Sequence, residues 1–307
     1  MADSEYAKAN KQQLLEYLSG LYPEWRLLYI RSMKKMFDDY NVFYSDVASY
    51  PFTLDGERRP IKLGLTYASV AETMQYIEDL FALMLNTQGE SLSIGKILNY
   101  SHDKVIKYIT SFENKSEQEQ IEALYICYIP DDYVWPNADI KETYTVLKDY
   151  TLECIKKIIM FRSRYRRFYT QYKHGLKIPM REFGGAMIDL EGDEIPLYSY
   201  ESLKIENKSF TGIERNSFIL PNPHPDVTSI ASKLYENGDL LRCDMAVVRF
   251  DDVLDVAFLT YQLFSCLRNN LMTFTMSSDN DDTCDILFPS NDREMPFKKM
   301  SYLYEKR

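Results

Sequence analysis

The sequence predicts a mainly helical protein with a C-terminal α+β extension. Three observations carry that expectation. Up to about residue 175, apolar residues recur at spacings of three and four between recognisable cap signals. Beyond it, Gly184-Gly185, Gly192 and Pro196 separate short segments such as AMIDL and PLYSY, the texture of tight turns between strands. The length of 307 residues suits two domains, which places residues 1–175 in a helical bundle and residues 176–307 in the extension.

Taken in order, residues 3–19 read as a helix closed by Gly20. Pro23 then opens a second helix over roughly 24–40 that spaces Trp25, Leu28, Tyr29, Met36 and Phe37 on helical periods. Pro51, Asp55-Gly56 and Pro60 mark a loop. Ser69-Val70-Ala71-Glu72 has the spacing of a capping box and predicts a helix over 69–86. Shorter helices are expected at 93–99 and 102–112, and a second box, Ser116 to Glu119, predicts one over 116–128. Pro130 and Pro136 break the pattern before a long helix over 143–174. Gly175 stands like a residue just past a helix end. The extension is then expected to hold two to four antiparallel strands over 178–220 and two helices, at 226–237 and 251–271, followed by a tail from Ser277 that is irregular in part.

Composition narrows the function classes. Apolar residues make up 45% and charged residues 27%, as in ordinary globular proteins, and no apolar run approaches the roughly 18 residues of a membrane span. The N-terminus MADSEYAKAN lacks the apolar run of a signal peptide, so a cytoplasmic protein without a membrane partner is expected. Cys127, Cys154, Cys243, Cys266 and Cys284 lie far apart with no C-x-x-C pair, which reads as free, mostly buried thiols. The three histidines are equally scattered, and no metal site or cofactor is expected. The net charge of −10 argues against coating nucleic acid nonspecifically, although a local basic surface can still hold RNA.

Such a surface exists. From Lys156 to Arg181 there are nine Lys or Arg residues and no Asp or Glu, which leaves the rest of the chain at a balance of −19. On a helix of 100° per residue, Leu147, Thr151, Cys154, Ile158, Phe161, Tyr165, Phe168, Tyr169 and Tyr172 form one seam. Arg167 and His174 fall on the opposite, outward face, two turns apart, together with Lys156, Met160, Ser163, Thr170 and Gln171.

The run Arg167-Phe-Tyr-Thr-Gln-Tyr172-Lys-His174 fits R-x(4)-Y-x-H and resembles the R-x(4–6)-H signature of HEPN domains. These are all-α bundles found in toxins, anti-phage defence proteins and ribonucleases. The resemblance covers at most residues 24–175 and implies a HEPN-like helical bundle. It further implies a metal-independent endoribonuclease or RNA-binding protein of toxin or antiviral defence type. It also implies a homodimer joined through the 156–174 face, and a possible regulatory protein partner. Carried over, Arg167 would stabilise the phosphate charge, His174 would move the proton and Tyr172 would assist as a polar group. The chemistry is coherent, since histidine titrates near neutrality and arginine grips phosphate bidentately. Lys156, Arg164, Arg166, Lys173 and Lys177 would hold the strand, with Tyr169 or Tyr172 stacking on unpaired bases. Phe168 departs from the pattern, because many active members carry Asn, Asp or His after the arginine.

A reading from a different class stands beside it, a non-catalytic interaction protein whose basic helix docks on an acidic partner or a nucleic acid. Elsewhere the sequence offers less. Asp279–Asp285 lacks the glycine and terminal glutamate of a calcium loop. Ser101-His102-Asp103 reads as a helix start, with Asp103 as its cap. His224, between prolines, reads as surface loop.

Overall fold

A computed structural model describes residues 2–40, 42, 59–88, 93–130, 132–173, 194–204, 218–233, 239–276 and 283–303. In chain order these form α1 (Ala2–Gly20), α2 (Glu24–Asp38), α3 (Arg59–Thr87), α4 (Ile94–Leu98), α5 (His102–Phe112), α6 (Glu117–Glu122) and α7 (Ala138–Lys173). There follow β1 (Glu194–Lys204), β2 (Phe218–Leu220), β3 (Val227–Lys233), β4 (Asp239–Arg249), α8 (Phe250–Met276), β5 (Thr283–Pro289) and β6 (Phe297–Leu303). The architecture is mainly helical with small antiparallel sheets, as the patterning implied.

Several elements differ from expectation, and three of the differences have a clear local reason. The helix expected from Ser69 begins ten residues earlier, at Arg59. Pro60 lies in its first turn, where a missing N–H costs nothing. Ser69 is fully buried inside that helix, and its hydroxyl donates to the Leu65 carbonyl at 2.8 Å instead of capping. Ser116, with the same sequence spacing to its glutamate, does form a full capping box. The helix it starts ends at Glu122, well short of 128, because Tyr125 adopts a left-handed backbone with φ of 56°. The Tyr125 hydroxyl donates to the Thr87 carbonyl and its ring meets Phe274 edge-on at 5.5 Å, which holds that conformation. The third difference lies in the extension, where the helix expected at 226–237 is strand β3. Among the described residues after 175, α8 is the one helix, not one of two. Val227, Thr228 and Ile230 favour the pleated surface, and pairing with β4 supplies the backbone hydrogen bonds. In the tail, expected to be irregular in part, β5 pairs with β6.

Contacts group the chain into two units. The first comprises Met1–Leu27, Gln75–Met160 and Val256–Arg307, the second Leu28–Met74 and Phe161–Asp255. In the first, Phe81 meets Phe112 edge-on at 5.2 Å, and Leu18, Leu80, Val105, Ile158 and Leu267 are fully buried. Cys154 and Cys266 are buried free thiols, and burial pushes Cys154 up to about 12.

The second unit is built on a four-stranded sheet in the order β1-β4-β3-β2, antiparallel throughout. Alternation sends Leu197 and Ser199 of β1, Asp244, Ala246 and Val248 of β4, and Val227, Ser229 and Ala231 of β3 to one buried face. The open edge of β1 is closed by a side chain. The Tyr67 hydroxyl accepts the Tyr198 N–H and donates to the Tyr198 carbonyl at 2.5 Å. Tyr67 is 1% exposed, so nothing replaces these bonds if the hydroxyl is removed. Tyr67→Phe is therefore expected to cost about 1–3 kcal/mol. Faster amide exchange at Tyr198 would register the loss, and unchanged protection there would contradict it.

Candidate nucleic-acid interface

Within the second unit, the last turns of α7 carry Ser163, Arg164 and Arg167 at spacings that put them on one face. That face meets the sheet. The Arg164 guanidinium donates to the Val247 carbonyl at 3.0 Å and lies 3.6 Å from Asp226. Tyr165 donates to the same carbonyl at 3.3 Å. Arg167 forms an ion pair with Asp244 through one nitrogen and reaches Glu201 at 3.7 Å through another.

Asp244 is the centre of this arrangement. It is 1% exposed on the buried face of β4. Arg242 donates to its Oδ1 at 2.9 Å, and Ser229 donates to the same oxygen. Arg242 also donates to the Ser229 hydroxyl at 3.0 Å, as does Asn222 at 2.9 Å. Two guanidiniums, Arg167 and Arg242, thus share two carboxylates, Asp244 and Glu201, so the cluster sums to no net charge. Burial, and then the neighbouring Arg167 charge, pull Arg242 below its ordinary value.

The outward face drawn from the helical wheel is therefore divided. Gln171 is 7% exposed and belongs to the buried side, whereas Ser163, Arg166, Thr170 and Lys173 are exposed. The Lys173 ammonium lies 4.0 Å above the Tyr169 ring. Tyr169 is buried, which leaves it no open face for a base, and Tyr172 stacks on Tyr67 with ring centres 6.5 Å apart. Tyr172 still exposes 38% of its surface, departing from the otherwise buried seam. In the first unit, Lys156 is exposed on α7, and so is Met160. His174 and Lys177 lie outside the described residues.

The sequence reading missed Asp244, Glu201, Ser229 and Arg242. The only signal was the alternation of Arg242 and Asp244 along one strand, which is also what an exposed strand face looks like. It also took His224 as plain surface. The His224 Nε2 lies 3.1 Å from the Ser163 hydroxyl, and its backbone N–H donates to Asn222 at 2.9 Å. A serine–histidine contact becomes a nucleophile with its base only when a third group orients the ring, and no carboxylate does so among the described residues. At the start of α5, Asp103 stands in the first turn, but Ser101 occupies the cap position, and His102 lies 3.9 Å from Glu78. Among the described residues, no three His, Cys, Asp or Glu side chains group in a way that could hold a metal ion. No helix among them is long and apolar enough to cross a membrane. Comparison with protein-family models, curated proteins and solved structures finds no match to the chain.

Proposed function

We propose that the protein is a HEPN-like, non-catalytic RNA-binding component of the toxin or anti-phage defence type, holding a strand at the exposed C-terminal end of α7. One observation carries this reading. The motif arginine is spent internally, with Arg167 neutralised by Asp244 and Glu201, while Arg166 and Lys173 project to solvent from the same turns. A phosphate needs uncompensated positive charge, and those two side chains supply it. The test is single-stranded RNA binding by the full chain at two salt concentrations. Reversing both charges (Arg166→Glu with Lys173→Glu) should weaken binding more than tenfold and flatten the salt dependence by about two phosphate contacts. Unchanged binding would sink the assignment, and loss of an acidic protein partner without loss of RNA would move it to the docking alternative.

A ribonuclease reading is favoured by one observation, that the Arg167 side chain remains 36% exposed at the helix end where the motif resemblance needs it. On that reading two motifs meet in a homodimer that a regulatory partner controls. Metal-free cleavage of RNA that disappears in His174→Ala would establish it and overturn the non-catalytic proposal. Light scattering reads the dimer separately.

A further inference from the structure

The first unit holds a pocket of about 250 Å³ that the α7 chemistry does not touch. Its volume lies just below the roughly 300 Å³ at which drug-sized sites begin, so it suits a small head group. Tyr76 and Phe264, both buried with ring centres 5.9 Å apart, line its interior. Tyr22 and Trp25, 68% and 54% exposed, stand among its lining residues with Tyr17 and Tyr100. Six aromatic rings converge on a space of this size, and their faces are electron-rich.

Two charged side chains, Asp79 and Arg26, stand among the rings. Asp79 lines the pocket and accepts from Gln75 at 2.9 Å. Burial, and then Asp79 and Glu78, push the Tyr100 hydroxyl upward. Tyr17 is raised by burial, then by Asp79 and Tyr100. Tyr76 is raised by burial first and then by Glu24. Arg26, which also lines the pocket, pairs with Asp79 at 2.7 Å, so the two charges of the lining balance. Arg26 also lies 4.5 Å above the Trp25 ring, so the pocket already holds one organic cation between an aromatic face and a carboxylate. That contact shows which chemistry the walls accept.

We propose that this pocket, with Tyr17, Tyr22 and Tyr100 around it and Asp79 supplying charge, binds a small organic cation of the quaternary ammonium class. A quaternary ammonium has no hydrogen-bond donors to satisfy and is held by ring faces and a nearby carboxylate. The site is separate from α7 and stands whether or not the RNA reading holds.

Calorimetry on the full chain tests it with choline and with the uncharged carbon isostere of choline. Choline should bind saturably, and the isostere roughly tenfold more weakly or worse, because shape is kept and charge removed. Tyr22→Ala alters a side chain that is 68% exposed, so the fold should survive, and choline affinity should fall about fivefold. Asp79→Asn should cost about tenfold, with far-ultraviolet circular dichroism checking that the helices persist. Equal affinity for choline and its isostere would reduce the site to an apolar cleft and overturn the proposal. So would the absence of saturable choline binding, tighter binding of inorganic phosphate than of choline, or an unchanged affinity in Tyr22→Ala.

Discussion

Replacing Asp244 by alanine is expected to destabilise the second unit by about 3–5 kcal/mol, the range for removing one partner from a buried ionic cluster. The carboxylate is 1% exposed and carries Arg242, Arg167 and Ser229 on its two oxygens. Without it, Arg242, whose side chain is 13% exposed, is left largely covered beside another guanidinium. Arg167, 36% exposed, can turn outward, so Arg167→Ala should cost distinctly less. Two units make a single unfolding curve ambiguous, and amide exchange at β3 and β4 is the better readout. Protection should fall in the order Asp244→Ala, Arg242→Ala, Arg167→Ala. An equal or larger effect from Arg167→Ala would mean that the motif arginine contributes more than a shared charge. Protection unchanged by Asp244→Ala would remove the cluster's structural role altogether.

Asn270→Leu is expected to cost about 2–4 kcal/mol in the first unit, since it strips partners from buried and half-buried backbone groups. Asn270 is 1% exposed on α8. Its carbonyl oxygen accepts the Leu287 N–H at 2.8 Å, and its amide nitrogen donates to the Leu287 carbonyl at 3.0 Å and the Leu124 carbonyl at 3.2 Å. The side-chain amide stands in for a neighbouring strand along β5, which otherwise pairs with β6. Gln262, two turns earlier, repeats the device and donates to the Ser290 and Pro296 carbonyls at 2.6 and 2.8 Å. Leucine keeps asparagine's branching and heavy-atom count without its hydrogen-bonding groups, so the exchange readout at Leu287 reports the lost bonds. Exchange at the Leu287 amide should accelerate by orders of magnitude while α5 stays protected. Retained protection at Leu287 would contradict this account.

Both predictions concern polar residues that sequence reasoning passed over, and the cause is common to them. Asp244 looks like a strand carboxylate and Asn270 like a helix asparagine until the segment that completes each is in place. Local patterning served well where the partner was also local. The 3.6-residue period located α1, α2 and α8 closely, and it placed Leu147, Cys154, Ile158, Phe161, Tyr165 and Phe168 in the core. It failed where a sequence signal is satisfied by more than one environment. Ser69 and Ser116 each precede a glutamate by three residues, yet one is buried in mid-helix and the other caps. Val227–Lys233 carries apolar and small residues that suit either state, and the β4 ladder selected the strand.

The sequence by itself determined that the chain is mainly helical, that α7 is long with a buried aromatic seam, and that its basic charges concentrate at one end. Such properties follow from residue order along a single helix, where neighbours are three or four positions away. Only the tertiary structure decided which of those charges are free. Arg164 and Arg167 turn to the sheet and are matched by Asp226, Asp244 and Glu201, whereas Arg166 and Lys173 face solvent. A charge acts through the field left after its partners are counted, and those partners come from strands far away in the chain.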